Sequence, residues 1–244
     1  MTRLGVLGWP VAHSRSPAMQ RAALRAAGLD GWAYQLLPVP PELFDETVRA
    51  LPGAGFLGAN VTIPHKEAAL AIADRATPLA RTIGAANTLT FTEHGIEADN
   101  TDAPGLLAAI GEPPRSALVL GAGGSARAAV HALAGAGCDV RVLARTPGRA
   151  HGLPATVVDR PVAAEALVNC TPVGMYDSEE LPLDPAGYEL VVDFAYREGG
   201  TALTRRATGR VIDGLELLVR QGSLSFTAWT GCQAPLEDMR AAVQ

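Results

Sequence analysis

The sequence predicts a two-domain α/β fold, and three observations carry that reading. Short apolar runs alternate with segments of helical period through roughly the first hundred residues. A second start follows, PPRSALVLGAGGSARAAVHALAGAGCDVRVLAR, which reads as strand, glycine-rich turn, helix and strand in one unit. The tail, GLELLVRQGSLSFTAWTG, is then helical in period.

Each element has its own signal. LGVLG, close to the start, is a buried strand. Ser16-Pro17 opens a helix with a capping hydroxyl and a proline at the first helical position, and PAMQRAALRAAG runs on until Gly28 stops it. WAYQLLPV is a second strand, PELFDETVRAL a helix and GFLGANVTI a third strand; HKEAALAIAD returns to helix. NTLTFTEHGIEADN reads as a strand pair around a glycine-containing turn. In the second unit EALVNCT, YELVVDFA and GRVIDG extend a parallel sheet. Between the strand ending near Ala144 and the next, near Ala155, only TPGRAHGLP intervenes. A parallel crossover usually needs about a dozen residues or more, so one helix of this unit is expected to shrink to a turn.

Composition narrows the function. At 244 residues with 48% hydrophobic and 18% charged positions, the chain is an ordinary globular protein of one or two domains. The net charge is -5 and the arginines are scattered, which argues against nucleic acid or an anionic membrane surface and for a small-molecule partner. Cys138, Cys170 and Cys232 are odd in number and lack any CxxC or Cys/His ligand spacing, so no metal site is expected and a reducing cytoplasm fits best. Arg127 and His131 interrupt the longest apolar run below membrane-spanning length.

The glycine-rich turn carries the first chemistry. Gly121, Ala122, Gly123, Gly124 and Ser125 lead to Ala126 in a GxGxxA pattern between SALVL and AAVHAL. A strand must turn sharply there, and backbone N–H groups at the following helix N-terminus can face a pyrophosphate. An NAD site would place an acid about 20 residues on, to hold the ribose 2′-OH. VLARTPGR offers Arg145, Thr146 and Arg149 instead, which favours NADP.

In the first domain HSRSP presents two hydroxyls, Ser14 and Ser16, suited to a carboxylate or polyol. NVTIPHKE places Asn60, Thr62 and Lys66 near a strand end, AANTL gives Asn87, and ADNTDAPG gives Asn100, Thr101 and Asp102. Lys66 is the only lysine; the other members of the 20 Lys and Arg are arginine. An ammonium can be tuned toward neutral pH by burial, whereas a guanidinium cannot, so a chain that favours arginine still needs lysine where a proton must move.

Taken in order, GWPVAHSRSP, NVTIPHK, GAANTL, NTDAPG, GAGGSARA, RTPGRA and DGLELLVRQGSLSFTAWTG closely resemble the shikimate dehydrogenase family, over nearly the whole chain. The resemblance implies a substrate-binding domain of residues 1–101 and 214–244 around an inserted Rossmann-like NADP domain of 102–213, with the active site between them. It implies that Ser14 and Ser16 bind the substrate carboxylate, that Asn60, Thr62, Asn87, Asp102 and Gln221 surround the ring hydroxyls, and that Tyr196 closes the site. Lys66 and Asp102 would be the acid–base pair. Gly121 to Ser125 would hold pyrophosphate, Arg145, Thr146 and Arg149 the adenosine phosphate, and Thr171, Phe194 and Gly214 the nicotinamide side. The implied activity is NADPH-dependent, reversible reduction of 3-dehydroshikimate to shikimate by a monomer or homodimer. A paralogue acting on quinate or an aminoshikimate, or a non-catalytic NADP-binding sensor, are the alternatives. Ala144 stands where the family commonly has Asn before the RT motif.

Overall fold

The computed structural model describes residues 1–175, 181 and 183–244. Two compact units divide it, one of Met1–Thr101 with Leu218–Gln244 and the other of Asp102–Leu217.

The first unit opens with β1 (Thr2–Gly8), α1 (Ser16–Ala26), β2 (Trp32–Pro38), α2 (Phe44–Ala50), β3 (Phe56–Val61) and α3 (Lys66–Ala71). A two-residue β4 (Arg75–Ala76), α4 (Pro78–Ile83), β5 (Thr88–Thr92) and β6 (Gly95–Asp99) follow. The sheet runs in the order β2-β1-β3-β5-β6-β4. β1 is parallel to β2 and β3, and β5 is antiparallel to β3 and β6. One apolar core gathers Leu7, Phe44, Val48, Phe56, Val61, Leu89 and Phe91 from strands and helices alike.

The second unit contains α5 (Asp102–Ile110), β7 (Ser116–Leu120), α6 (Gly124–Gly135), β8 (Asp139–Leu143), β9 (Thr156–Val158), β10 (Ala166–Asn169), β11 (Leu190–Asp193), α7 (Ala202–Arg206) and β12 (Arg210–Ile212). All six strands are parallel, in the order β12-β11-β10-β7-β8-β9. Chain order therefore reverses between β7 and β10, the switch point where such sheets leave a crevice for a ligand. The β8–β9 crossover carries only the 3₁₀ turn Pro147–Ala150, as its length implied.

α8 (Gly214–Thr230) begins in the second unit and continues into the first, where α9 (Leu236–Ala241) packs on α1. The division thus falls inside α8 rather than at its first residue. Trp229 anchors the helix to sheet one, its indole Nε1 donating to Leu89 O at 3.1 Å. Gly58 makes room for it: a Cβ there would lie 2.2 Å from that nitrogen.

Two local expectations are corrected. Ser16 does not cap α1; Arg15 occupies the N-cap without a side-chain bond, and Ser16 is the first helical residue. The hydroxyl that meets the first helical N–H lies two residues earlier, where Ser14 Oγ accepts from Ser16 N at 3.3 Å. PELFDETVRAL is a 3₁₀ turn, Pro41–Leu43, followed by a shorter helix than the apolar period suggests.

Candidate active site

In the first unit the candidate residues cluster at the C-terminal ends of β1 and β3 and on the segments that follow. Ser14 Oγ donates to Ser16 Oγ at 3.2 Å, which pairs the two hydroxyls at the start of α1; Ser16 itself is buried. Thr62 follows β3, its N–H bonded to Leu7 O at 2.8 Å. Lys66 is the first residue of α3, 8% exposed, and its carbonyl accepts Ala86 N at 2.8 Å, which ties the lysine backbone to the segment leading into Asn87. His65 beside it is a core residue: it stacks on Phe44 at 4.4 Å and its Nε2 lies 2.7 Å from Val39 O. Burial holds its pKa below the ordinary histidine value, partly opposed by that bond, so His65 stays neutral at pH 7 and donates from Nε2.

Asn87 is 2% exposed. Its Oδ1 accepts the Thr101 N–H at 2.7 Å, and its Nδ2 donates to Thr101 Oγ1 at 2.9 Å and to Gln221 Oε1 at 3.1 Å. Gln221, on α8, donates in turn to Leu218 O at 2.8 Å. Asn60 lies at 5% exposure in β3 and is engaged by Tyr34 and Ser225. Asn100 Nδ2 bonds Ala85 O at 2.9 Å, a structural use of a buried amide.

The second unit presents a cradle at its switch point. Gly121, at the end of β7, has φ +105, a region closed to most side chains, and a Cβ there would stand 3.3 Å from Thr171 Cγ2. Gly123 is the N-cap of α6 with no side-chain cap, and a Cβ on it would meet nothing within 4 Å. A helix N-terminus presents its first N–H groups outward and Gly123 leaves the approach open, so this turn fits a pyrophosphate. Ala122 and Ser125 are buried beside them, and Gly124 opens the helix. Arg145, Thr146 and Arg149 stand exposed just beyond β8.

Across the switch point, Thr171 follows β10 and Phe194 follows β11. Asn169 and Asp193 are register partners at the ends of those strands, both fully buried. Asn169 Nδ2 donates to Asp193 Oδ1 at 2.9 Å, and its Oδ1 accepts Thr171 Oγ1 at 2.7 Å and Thr171 N at 3.0 Å. Asp193 also accepts Ala195 N at 3.0 Å and Thr201 Oγ1 at 2.6 Å. Gly214 is buried with its Cα against the Phe194 and Ala195 carbonyls, where a Cβ would approach within 2.8 and 2.7 Å. Tyr196 is half-buried on the loop after β11. Asp102 opens α5 and is 6% exposed.

Comparison with known proteins gives this geometry a family. The shikimate dehydrogenase substrate binding domain matches residues 6–89 and the shikimate 5'-dehydrogenase C-terminal domain residues 214–244. A shikimate dehydrogenase (NADP(+)) of an Anaeromyxobacter species is 44% identical over 264 aligned positions, covering 98% of this chain and 94% of its own. The chain belongs to the shikimate dehydrogenase family. Solved shikimate dehydrogenases share its two-domain fold. The Thermus thermophilus enzyme, crystallised with NADP(H) and shikimate, has a TM-score of 0.90 at 40% identity, covering 100% of this chain and 98% of its own. The Aquifex aeolicus enzyme reaches 0.92 at 32%, with the same coverage.

Within this shikimate dehydrogenase fold, sequence reasoning missed Tyr34, Thr88 and Ser225 around Asn60, and Asn169, Asp193 and Thr201 around Thr171. The second group had a signal: VN in EALVNCT and VD in YELVVDFA each end an apolar strand on a polar residue at the switch-point edge. The first group had none, since a strand tyrosine and a helix serine read as ordinary. Among the described residues no helix is long and apolar enough to cross a membrane, and no His, Cys, Asp and Glu cluster could hold a metal ion.

Proposed function

We propose that the chain catalyses the NADP-dependent, reversible reduction of 3-dehydroshikimate to shikimate, within the cytoplasm. The observation that carries this reading is one unit that holds a buried lysine, a paired-hydroxyl site and two oriented amides, in a family whose curated members at 40–44% identity are shikimate dehydrogenases (NADP(+)). The second unit supplies a cradle that fits NADP.

When bound, the reduced nicotinamide supplies hydride to the ketone carbon. The protein's part is binding and proton delivery. Ser14 and Ser16 hold the carboxylate, while Thr62, Asn87 and Gln221 fix the ring hydroxyls. Lys66 donates a proton from Nζ to the ketone oxygen as it becomes a hydroxyl, and accepts one from that hydroxyl in the reverse direction. Asp102, the second member of the acid–base pair, orients the reacting hydroxyl. Gly121 to Ser125 hold the pyrophosphate, Arg145, Thr146 and Arg149 the 2′-phosphate, and Thr171, Phe194, Gly214 and Tyr196 border the reacting end.

Purified protein with NADP and, separately, shikimate, quinate and an aminoshikimate tests this through the absorbance of the reduced cofactor. Turnover of shikimate above the others is expected. Turnover of quinate alone would overturn the substrate, and intact NADP binding without turnover would overturn the activity.

A further inference from the structure

Asn60 is framed on every side. Its Nδ2 faces Asn87 O at 3.3 Å and Ser225 Oγ at 2.9 Å, so its Oδ1 faces Tyr34 Oη at 2.8 Å. A carbonyl can only accept, which fixes the amide's orientation and makes the tyrosine the donor. The same logic fixes the other amides. Thr101 N–H can only donate, so Asn87 Oδ1 is the atom it meets, and Leu218 O can only accept, so Gln221 Nε2 is the atom facing it.

The hydroxyls between them link the amides into one network. Ser225 Oγ accepts from Asn60 and lies 2.8 Å from Thr88 Oγ1, which in turn donates to Asn87 Oδ1 at 3.1 Å. The bonds form one connected run: Tyr34 donates to Asn60, Asn60 to Ser225, Ser225 and Thr88 share a contact, Thr88 donates to Asn87, Asn87 to Gln221 and Gln221 to Leu218, while Ser225 Oγ also reaches Gln221 O at 3.3 Å. Tyr34 and Ser225 are fully buried. Hydrogen bonds linked in a buried network polarise one another, and a break at one member weakens the rest.

We infer that Tyr34, Asn60 and Ser225 are positioning residues that brace Asn87 and Gln221 in place from behind, through Asn87 O, Gln221 O and Thr88, while the Thr101 N–H and Leu218 O fix which way the two amides face, and that Asn60 serves this network rather than touching the substrate. The inference rests on the reading above, in which Asn87 and Gln221 hold the ring hydroxyls. It makes specificity for the polyol depend on a tyrosine hydroxyl in β2 and a serine in α8.

Tyr34→Phe and Ser225→Ala preserve shape and each remove one hydroxyl, and the double variant combines them. Steady-state kinetics with shikimate, NADP affinity by fluorescence titration and thermal melting are measured on all three and on the wild type. Each single variant is expected to raise the shikimate KM by about three- to tenfold, the loss of one buried hydrogen bond, with NADP affinity unchanged. The double variant is expected to be little worse than either single one, because the chain is already broken. An unchanged shikimate KM overturns the inference. So does a fall in melting temperature accompanied by equal loss of shikimate and NADP affinity, which marks a role in stability alone. A wild-type protein that binds NADP but does not oxidise shikimate overturns the functional reading, whereas a working wild type with normal variants overturns this inference alone.

Discussion

Asp193 is a carboxylate with no exposure to water, and burial pushes its pKa up to about 6 against the hydrogen bonds from Thr201, Ala195 and Asn169. Because the folded state binds this proton more tightly than the unfolded chain, the group's contribution to stability declines as pH rises from about 4 through about 6. The difference in melting temperature between wild type and Asp193→Asn should therefore move against the wild type over that window, and a pH-independent difference would contradict the shift. Lys66 makes the complementary case, a buried residue to which the proposed function assigns the proton. Lys66→Arg should keep the fold and approximate shikimate affinity while turnover falls by about 10² to 10⁴, measured as kcat. Near-normal turnover in that variant would leave Lys66 as an electrostatic anchor. Lys66 drew attention in the sequence because it is one lysine among arginines, and its burial at the start of α3 is what the structure adds. Tyr34 and Ser225 drew none, because only folding brings residues 34, 60 and 225 within hydrogen-bond distance.

At the scale of elements, β7, Gly121 and α6 were legible because strand, turn and helix each state the same geometry in consecutive residues. α4 was not, although Thr77-Pro78 is a proper start and Thr77 Oγ1 accepts Ala80 N at 3.2 Å. Its six residues, PLARTI, are too few to establish a period. The loss of the β8–β9 helix was visible as a shortage of residues, a constraint of chain length rather than of propensity. α8 depends on its anchor. Trp229→Phe removes the donor to Leu89 O and should cost about 1–3 kcal/mol in denaturant unfolding. No measurable loss would show that apolar contact alone holds the helix.

Over the whole molecule, the two units carry separate cores. NADP at 100 times its Kd should add about 2.7 kcal/mol of stability, and amide exchange should slow mainly in residues 102–217. Protection concentrated in residues 1–101 would reassign the cofactor to the other unit. The division also has a consequence for synthesis. Residues 102–217 are contiguous, so this unit can fold as soon as it leaves the ribosome. Sheet one is made earlier yet completed later, because Trp229, Ser225 and α9 are among its last pieces to be translated. Until they arrive, Met19 lacks its Gly222 neighbour and Leu89 O lacks its Trp229 donor. The nascent chain is then an unfinished half attached to a finished one, and the interval in which a chaperone would find apolar surface is the time taken to translate and release residues 218–244.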